Sequence, residues 1–97
     1  MAAAYRQSDM TRGHPPCFPP TPAQAGSPDV FTNGRMQMRV GDPCVVHGVY
    51  PCTPHVPTMA RGSSSVFVNK KPACRVGDPT NCGDGAAVGS GNVFIGG

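Results

Sequence analysis

Three histidines and five cysteines are the side chains of this 97-residue chain best suited to chemistry, and their spacing is informative. Three of them share a phase measured from an aspartate. His14 lies five residues after Asp9, His47 five after Asp42, and Cys82 four after Asp78. His55 follows His47 by eight residues, on a loop long enough to turn back. Three imidazoles and one thiolate form a closed tetrahedral set for Zn²⁺, with Zn–N roughly 2.0–2.1 Å and Zn–S about 2.3 Å. Nitrogen and sulfur donors select zinc over calcium or magnesium. Because protein fills all four positions, one structural ion per chain is expected, its binding free energy adding to that of folding.

The other cysteines compete for the fourth position. Cys17 follows His14 by three residues, Cys44 precedes His47 by three, and Cys52 precedes His55 by three. Only Cys82 shares the phase of the histidines, which ranks it first. Cys74 reads as a small buried apolar side chain. An odd cysteine count fits poorly with a complete disulfide framework. The N-terminus lacks a cationic start followed by an apolar run, so a reducing compartment during assembly is expected. Catalytic signatures such as CxxC, GxSxG and HExxH are missing. Five Asp and no Glu leave few pairs for acid–base work, so the chain reads as no enzyme. Asp9, Asp42 and Asp78 read instead as strand-end acceptors of backbone N–H groups, with Arg6, Arg39 and Arg75 as possible partners.

These side chains need a scaffold, and internal repetition supplies one. Residues Gly26 to Pro43 align with Gly62 to Pro79 at a constant offset of 36. A third copy starts at Gly89 and runs out at Gly97; its second half stands at the other end, from Ala3 to Met10. Each unit reads as a β-hairpin. Val30-Phe31-Thr32, Val66-Phe67-Val68 and Val93-Phe94-Ile95 precede the turn pairs Asn33-Gly34, Asn69-Lys70 and Gly96-Gly97. In the first copy Gln7-Ser8 stands where the others have Val-Gly, so a different turn is expected there. If the units are equivalent in space, the strand near Val93–Ile95 lies beside that near Ala3–Arg6. Three hairpins then close into a ring with approximate threefold symmetry, joined by Pro/Gly-rich loops over 10–25, 43–61 and 79–88.

Composition agrees with an all-β fold in a single domain over residues 1–97. The chain has no Leu, no Glu and no Trp but eleven Val, and Gly and Pro number 13 and 12. Helix formers are too few for a bundle or a doubly wound α/β fold. A net charge of +3 with scattered Arg and Lys is too weak a footprint for nucleic acid. So thin a core calls for an added staple, which the metal would supply.

The segment Lys71-Pro72-Ala73-Cys74-Arg75-Val76-Gly77-Asp78 resembles the motif of the PAAR-repeat proteins, with Cys for the second Ala. Ala3-Ala4-Tyr5-Arg6 and Met36-Gln37-Met38-Arg39 are weaker versions, and the Gly-Ser-x-x-Val-Phe strands, Thr53-Pro54-His55 and the final Val-Phe-Ile-Gly-Gly are similar to the family's pattern. The resemblance implies a small cone of three hairpins with Zn²⁺ near its apex, held by His14, His47, His55 and Cys82. It implies a tip, one chain per trimer, that caps and sharpens a trimeric β-helical spike (VgrG-like or phage-tail) in type VI secretion systems and contractile phage tails. Such a tip is made in the cytoplasm, rides at the end of the assembled apparatus, touches a membrane only transiently while piercing an envelope, and can carry effector cargo. The expected contact elements are the strands at Val30, Phe31, Val66, Phe67, Val93 and Phe94, with the presented face left open. The rival readings are a small zinc-binding adaptor recruiting effectors or nucleic acid, and a secreted disulfide-rich peptide.

Overall fold

The computed structural model describes residues 2–97. Its ladders are short: β1 (Ala2–Ala3), β2 (Phe31–Thr32), β3 (Arg35–Met36), β4 (Phe67–Val68), β5 (Lys71–Pro72) and β6 (Phe94–Ile95). The all-β expectation holds. Strands β2/β3 and β4/β5 are hairpins closed by Asn33-Gly34 and Asn69-Lys70, whose φ angles of 54°, 78°, 53° and 67° are those of type I′ turns. The third ladder joins the two ends of the chain. Strands β1 and β6 pair antiparallel, Ala2 opposite Ile95 and Ala3 opposite Phe94, as the split repeat requires.

Past the hairpins the three return segments pair with one another instead of forming wider sheets. Arg6 bridges Gln37, Arg39 bridges Ala73, and Arg75 bridges Ala4, so each segment pairs with the next and the third with the first. One turn of backbone bonds closes the ring: Met38 N–H to Tyr5 O at 3.0 Å, Cys74 N–H to Met38 O at 2.9 Å, and Tyr5 N–H to Cys74 O at 3.1 Å. The side chains of Tyr5, Met38 and Cys74 are fully buried at this level. Ala23, Cys44, Met59 and Ala86 continue the same cluster toward the loops. The Tyr5 hydroxyl lies 3.7 Å from Cys44 Sγ, which satisfies both polar groups inside an otherwise apolar core. The body that results measures 39 × 23 × 23 Å, long in one direction and equal in the other two, in keeping with near-threefold symmetry.

Equivalent side chains lock the units together. Ser27, Ser63 and Ser90 are buried, and each hydroxyl oxygen accepts the backbone N–H two and three residues on, at 2.9–3.2 Å. Each hydroxyl then donates across to a neighbouring unit: Ser27 to Asn69 Oδ1, Ser90 to Asn33 Oδ1, and Ser63 to Gly96 O. Arg39, Arg6 and Arg75 donate to those same three oxygens. In the copy that ends at Gly97, a main-chain carbonyl thus replaces the asparagine amide. The glycine preceding each serine is required by contact. A Cβ at Gly26, Gly62 or Gly89 would stand 2.5–2.6 Å from the carbonyl oxygen of Gln37, Ala73 or Ala4.

Each Arg–Asp pair closes a tight turn. Asp9 Oδ2 accepts both the backbone N–H of Arg6 at 2.9 Å and its Nε at 2.8 Å, while Oδ1 takes Nη2 at 2.9 Å. Arg39–Asp42 and Arg75–Asp78 repeat this geometry. The carboxylates therefore serve as backbone acceptors and ion-pair partners together, and this hydrogen bonding raises each guanidinium above its ordinary pKa. The expectation of a different turn in the first copy is not met. Ser8 takes φ +77°, beside +92° at Gly41 and +97° at Gly77, and the closing bond from the Asp N–H to the Arg carbonyl is 3.0 Å in all three. The fixed Arg–Asp fork holds the turn even where the positive-φ residue just before the aspartate carries a side chain.

Candidate metal centre

The loops leave the ring at Asp9, Asp42 and Asp78 and run together. In the first, His14 and Phe18 form a one-pair antiparallel bridge, His14 N–H to Phe18 O at 2.8 Å and Phe18 N–H to His14 O at 3.1 Å. In the second, His47 and His55 form the same bridge at 3.1 and 3.0 Å. Phe18 and His55 are thus counterparts, and the doubling back that brings His55 to His47 is a repeated feature. The third loop is shorter and carries Cys82 two residues beyond buried Thr80.

His14, His47, His55 and Cys82 come together here. One ligand atom from each lies within 4.8 Å of all the others. His47 Nε2 is 2.8 Å from His55 Nε2 and 3.8 Å from Cys82 Sγ. The edges of a zinc tetrahedron are about 3.3 Å for N–N and 3.6 Å for N–S, given the usual bond lengths, so these separations bracket them. Tautomers agree with a cation between the four. His14 Nδ1 faces Pro15 O and His47 Nδ1 faces Pro19 O, each at 3.3 Å, which places the proton on Nδ1 and leaves Nε2 bare. His14 Nε2 is buried and has no hydrogen-bond partner. Bare ring nitrogens aimed at one point lack a proton to share, and a cation satisfies them. Burial, first of several causes, holds the His47 imidazole below its ordinary pKa and so keeps it neutral, the form a metal ligand needs.

The surroundings are apolar on one side and polar on the other. Phe18 stacks on His14 at 4.5 Å between centroids and leans on His55 at 4.5 Å and His47 at 5.1 Å. On the polar side Asp84 Oδ2 lies 3.6 Å from His47 Nδ1, and Thr80 Oγ1 lies 3.3 Å from Cys82 Sγ. Neither Asp84 nor Thr80 nor Phe18 stands out in the sequence. Asp84 is out of phase with the three turn aspartates, and only the equivalence of Phe18 with His55 could have drawn attention to that ring.

The competing cysteines have other places. Cys17 and Cys52 are bonded to each other, with Cα atoms 6.1 Å apart. Both stand three residues from a histidine, so the convergence of those histidines brings them together as well. Cys44 and Cys74 are buried in the core as free thiols, Cys74 as expected of a small apolar residue. At the hairpin end, Phe31, Phe67 and Phe94 are 54%, 56% and 51% exposed, and Val30 and Val66 are exposed beside them. Val93 differs, packing half-buried against the cluster of Ala4, Val68, Ala73 and Ile95.

Residues 19–87 match the family described as PAAR motif. No curated protein matches the chain.

Proposed function

This chain belongs to the PAAR-motif family, and on that premise we propose that it caps the blunt end of a trimeric β-helical spike and sharpens it for piercing a bacterial envelope. The observation that carries the reading is the hairpin end: three phenylalanines at equivalent repeat positions, each about half exposed. A threefold spike offers three identical patches, and a single chain can meet all of them only with three similar ones of its own. Three rings of about 50% exposure leave enough apolar surface free to seat in such patches.

The opposite end is held together by Zn²⁺ in this reading, with His14, His47, His55 and Cys82 as ligands. All three loops supply at least one of them, so the ion joins the loops to one another. Four protein ligands leave no open position, and the role is structural rather than catalytic. The tip is proposed to travel at the end of the assembled apparatus, one chain per trimer, reaching a membrane only in passage.

Mixing the zinc-loaded chain with a trimeric β-helical spike protein tests this. One chain per trimer is expected by light scattering, with binding lost in a Phe31→Asp/Phe67→Asp/Phe94→Asp variant that keeps its zinc. Absence of binding to any such trimer, or saturable binding to nucleic acid at physiological salt, would overturn it.

A further inference from the structure

We propose that Asp84 is a positioning residue of the metal centre, supported by Thr80: together they fix the ligands of all three loops from outside. The inference rests on the metal-centre reading above and extends it to residues that touch no metal.

Asp84 is fully buried, and its two carboxylate oxygens do different things. Oδ1 accepts the backbone N–H of Gly13 at 2.8 Å and of Gly85 at 2.7 Å. Gly13 directly precedes His14, so this bond ties the first loop to the third at the point where a ligand enters. Oδ2 lies 3.6 Å from His47 Nδ1, whose proton goes to Pro19 O at 3.3 Å, and has no hydrogen-bond partner of its own. The Asp84 N–H donates to Thr80 Oγ1 at 3.1 Å, and the same hydroxyl oxygen is 3.3 Å from Cys82 Sγ. Having accepted from the backbone, that hydroxyl keeps its own proton free to donate to the sulfur. One short segment therefore reaches His14 through a main-chain hydrogen bond, Cys82 through a hydroxyl at its sulfur, and His47 through a negative charge beside its outer nitrogen.

Charge explains why a carboxylate stands here. A buried carboxylate without a counter-charge is strongly unfavourable. Among the described residues Asp84 has no ion-pair partner besides neutral His47. Three neutral imidazoles and one thiolate around a dication leave one net positive charge, and Asp84 supplies the negative charge that cancels it. Outer partners of this kind fix ring orientation and raise ligand basicity, and losing one typically weakens metal binding about 10–100-fold.

Asp84→Asn keeps an oxygen for Gly13 N–H and removes the charge facing His47. In a competition titration with a zinc chelator, D84N is expected to bind zinc roughly 10–100-fold more weakly than wild type while its loaded form keeps the wild-type circular dichroism. With cobalt in place of zinc, the thiolate-to-metal band should move in Thr80→Val and return in Thr80→Ser. Long-range ¹H–¹⁵N spectra of the loaded wild type should place the His47 proton on Nδ1, a measurement that stands even if D84N does not fold. Wild-type affinity in D84N, or metal bound at His47 Nδ1, overturns the assignment of Asp84 and leaves the metal centre standing. A wild-type chain that binds no metal overturns both.

Discussion

The bond between Cys17 and Cys52 makes a quantitative demand on stability. It closes a loop of 35 residues between the segment bearing His14 and the segment bearing His55. In the chain-entropy treatment a closed loop of n residues removes about 2.1 + 1.5R ln n cal/mol/K from the unfolded chain. For this loop that is about 13 cal/mol/K, or about 4 kcal/mol at 25 °C. Domains of this size have about 5–15 kcal/mol in total, so a large share of the stability is at stake. Urea unfolding of the zinc-loaded Cys17→Ser/Cys52→Ser variant should give an unfolding free energy about 4 kcal/mol below wild type, equivalent to a fall in Tm of roughly 15–30 °C. Where the metal-free chain is unfolded, the same 4 kcal/mol enters the apparent zinc affinity as almost three powers of ten. Unfolding free energies that agree within about 1 kcal/mol would refute the reasoning, since the bond would then constrain nothing that folding had to order.

Other perturbations separate the remaining contributions. Chelation should unfold the chain and Cys82→Ser should lose both the bound zinc and cooperative melting, whereas a metal-free form that keeps the full Tm would show that the ion is dispensable for folding. Ser8→Gly and Lys70→Gly should each stabilise by about 0.5–1 kcal/mol, because both residues sit at positive φ where a side chain is disfavoured, and thermal melts would register this as a rise of a few degrees. Alkaline pH should destabilise. Burial raises the thiols of Cys44 and Cys74 and the phenol of Tyr5, so their contribution is complete below the unfolded thiol value of about 8.5 and is lost as pH rises toward the folded values. Urea midpoints between pH 7 and 10 should therefore fall, and Cys74→Ala should flatten the slope above pH about 8.5; an unchanged slope would exclude Cys74 as a source.

What could be read from the sequence was what the repeat carries. Its phase placed the three turn aspartates, both hairpin turns and the strand near Val93–Ile95 beside that near Ala3–Arg6, because each recurs as a residue type at a fixed offset; the ladder itself falls at Ala2–Ala3 and Phe94–Ile95. Three residues of the metal cluster, His14, His47 and Cys82, were legible from the same phase, and His55 from the length of a loop able to turn back on His47. The disulfide was not, since no symmetry relates Cys17 to Cys52 and their meeting follows only from loop closure around the histidines. Asp84 and Phe18 stayed hidden likewise: one acts through a backbone N–H and an outer ring nitrogen, the other through the flat face of its ring, and neither interaction leaves a spacing to recognise. At Ser8 the residue type pointed the wrong way, because the ion pair on either side outweighs the local preference of the backbone.

The seam between β1 and β6 has the same antiparallel register as the two continuous hairpins. Where the polypeptide is cut is then incidental to the body it builds. A permuted gene that joins Gly97 to the first residue through a short linker, and opens the chain instead between Asn33 and Gly34, would encode the same object with its loose ends moved one third of the way around.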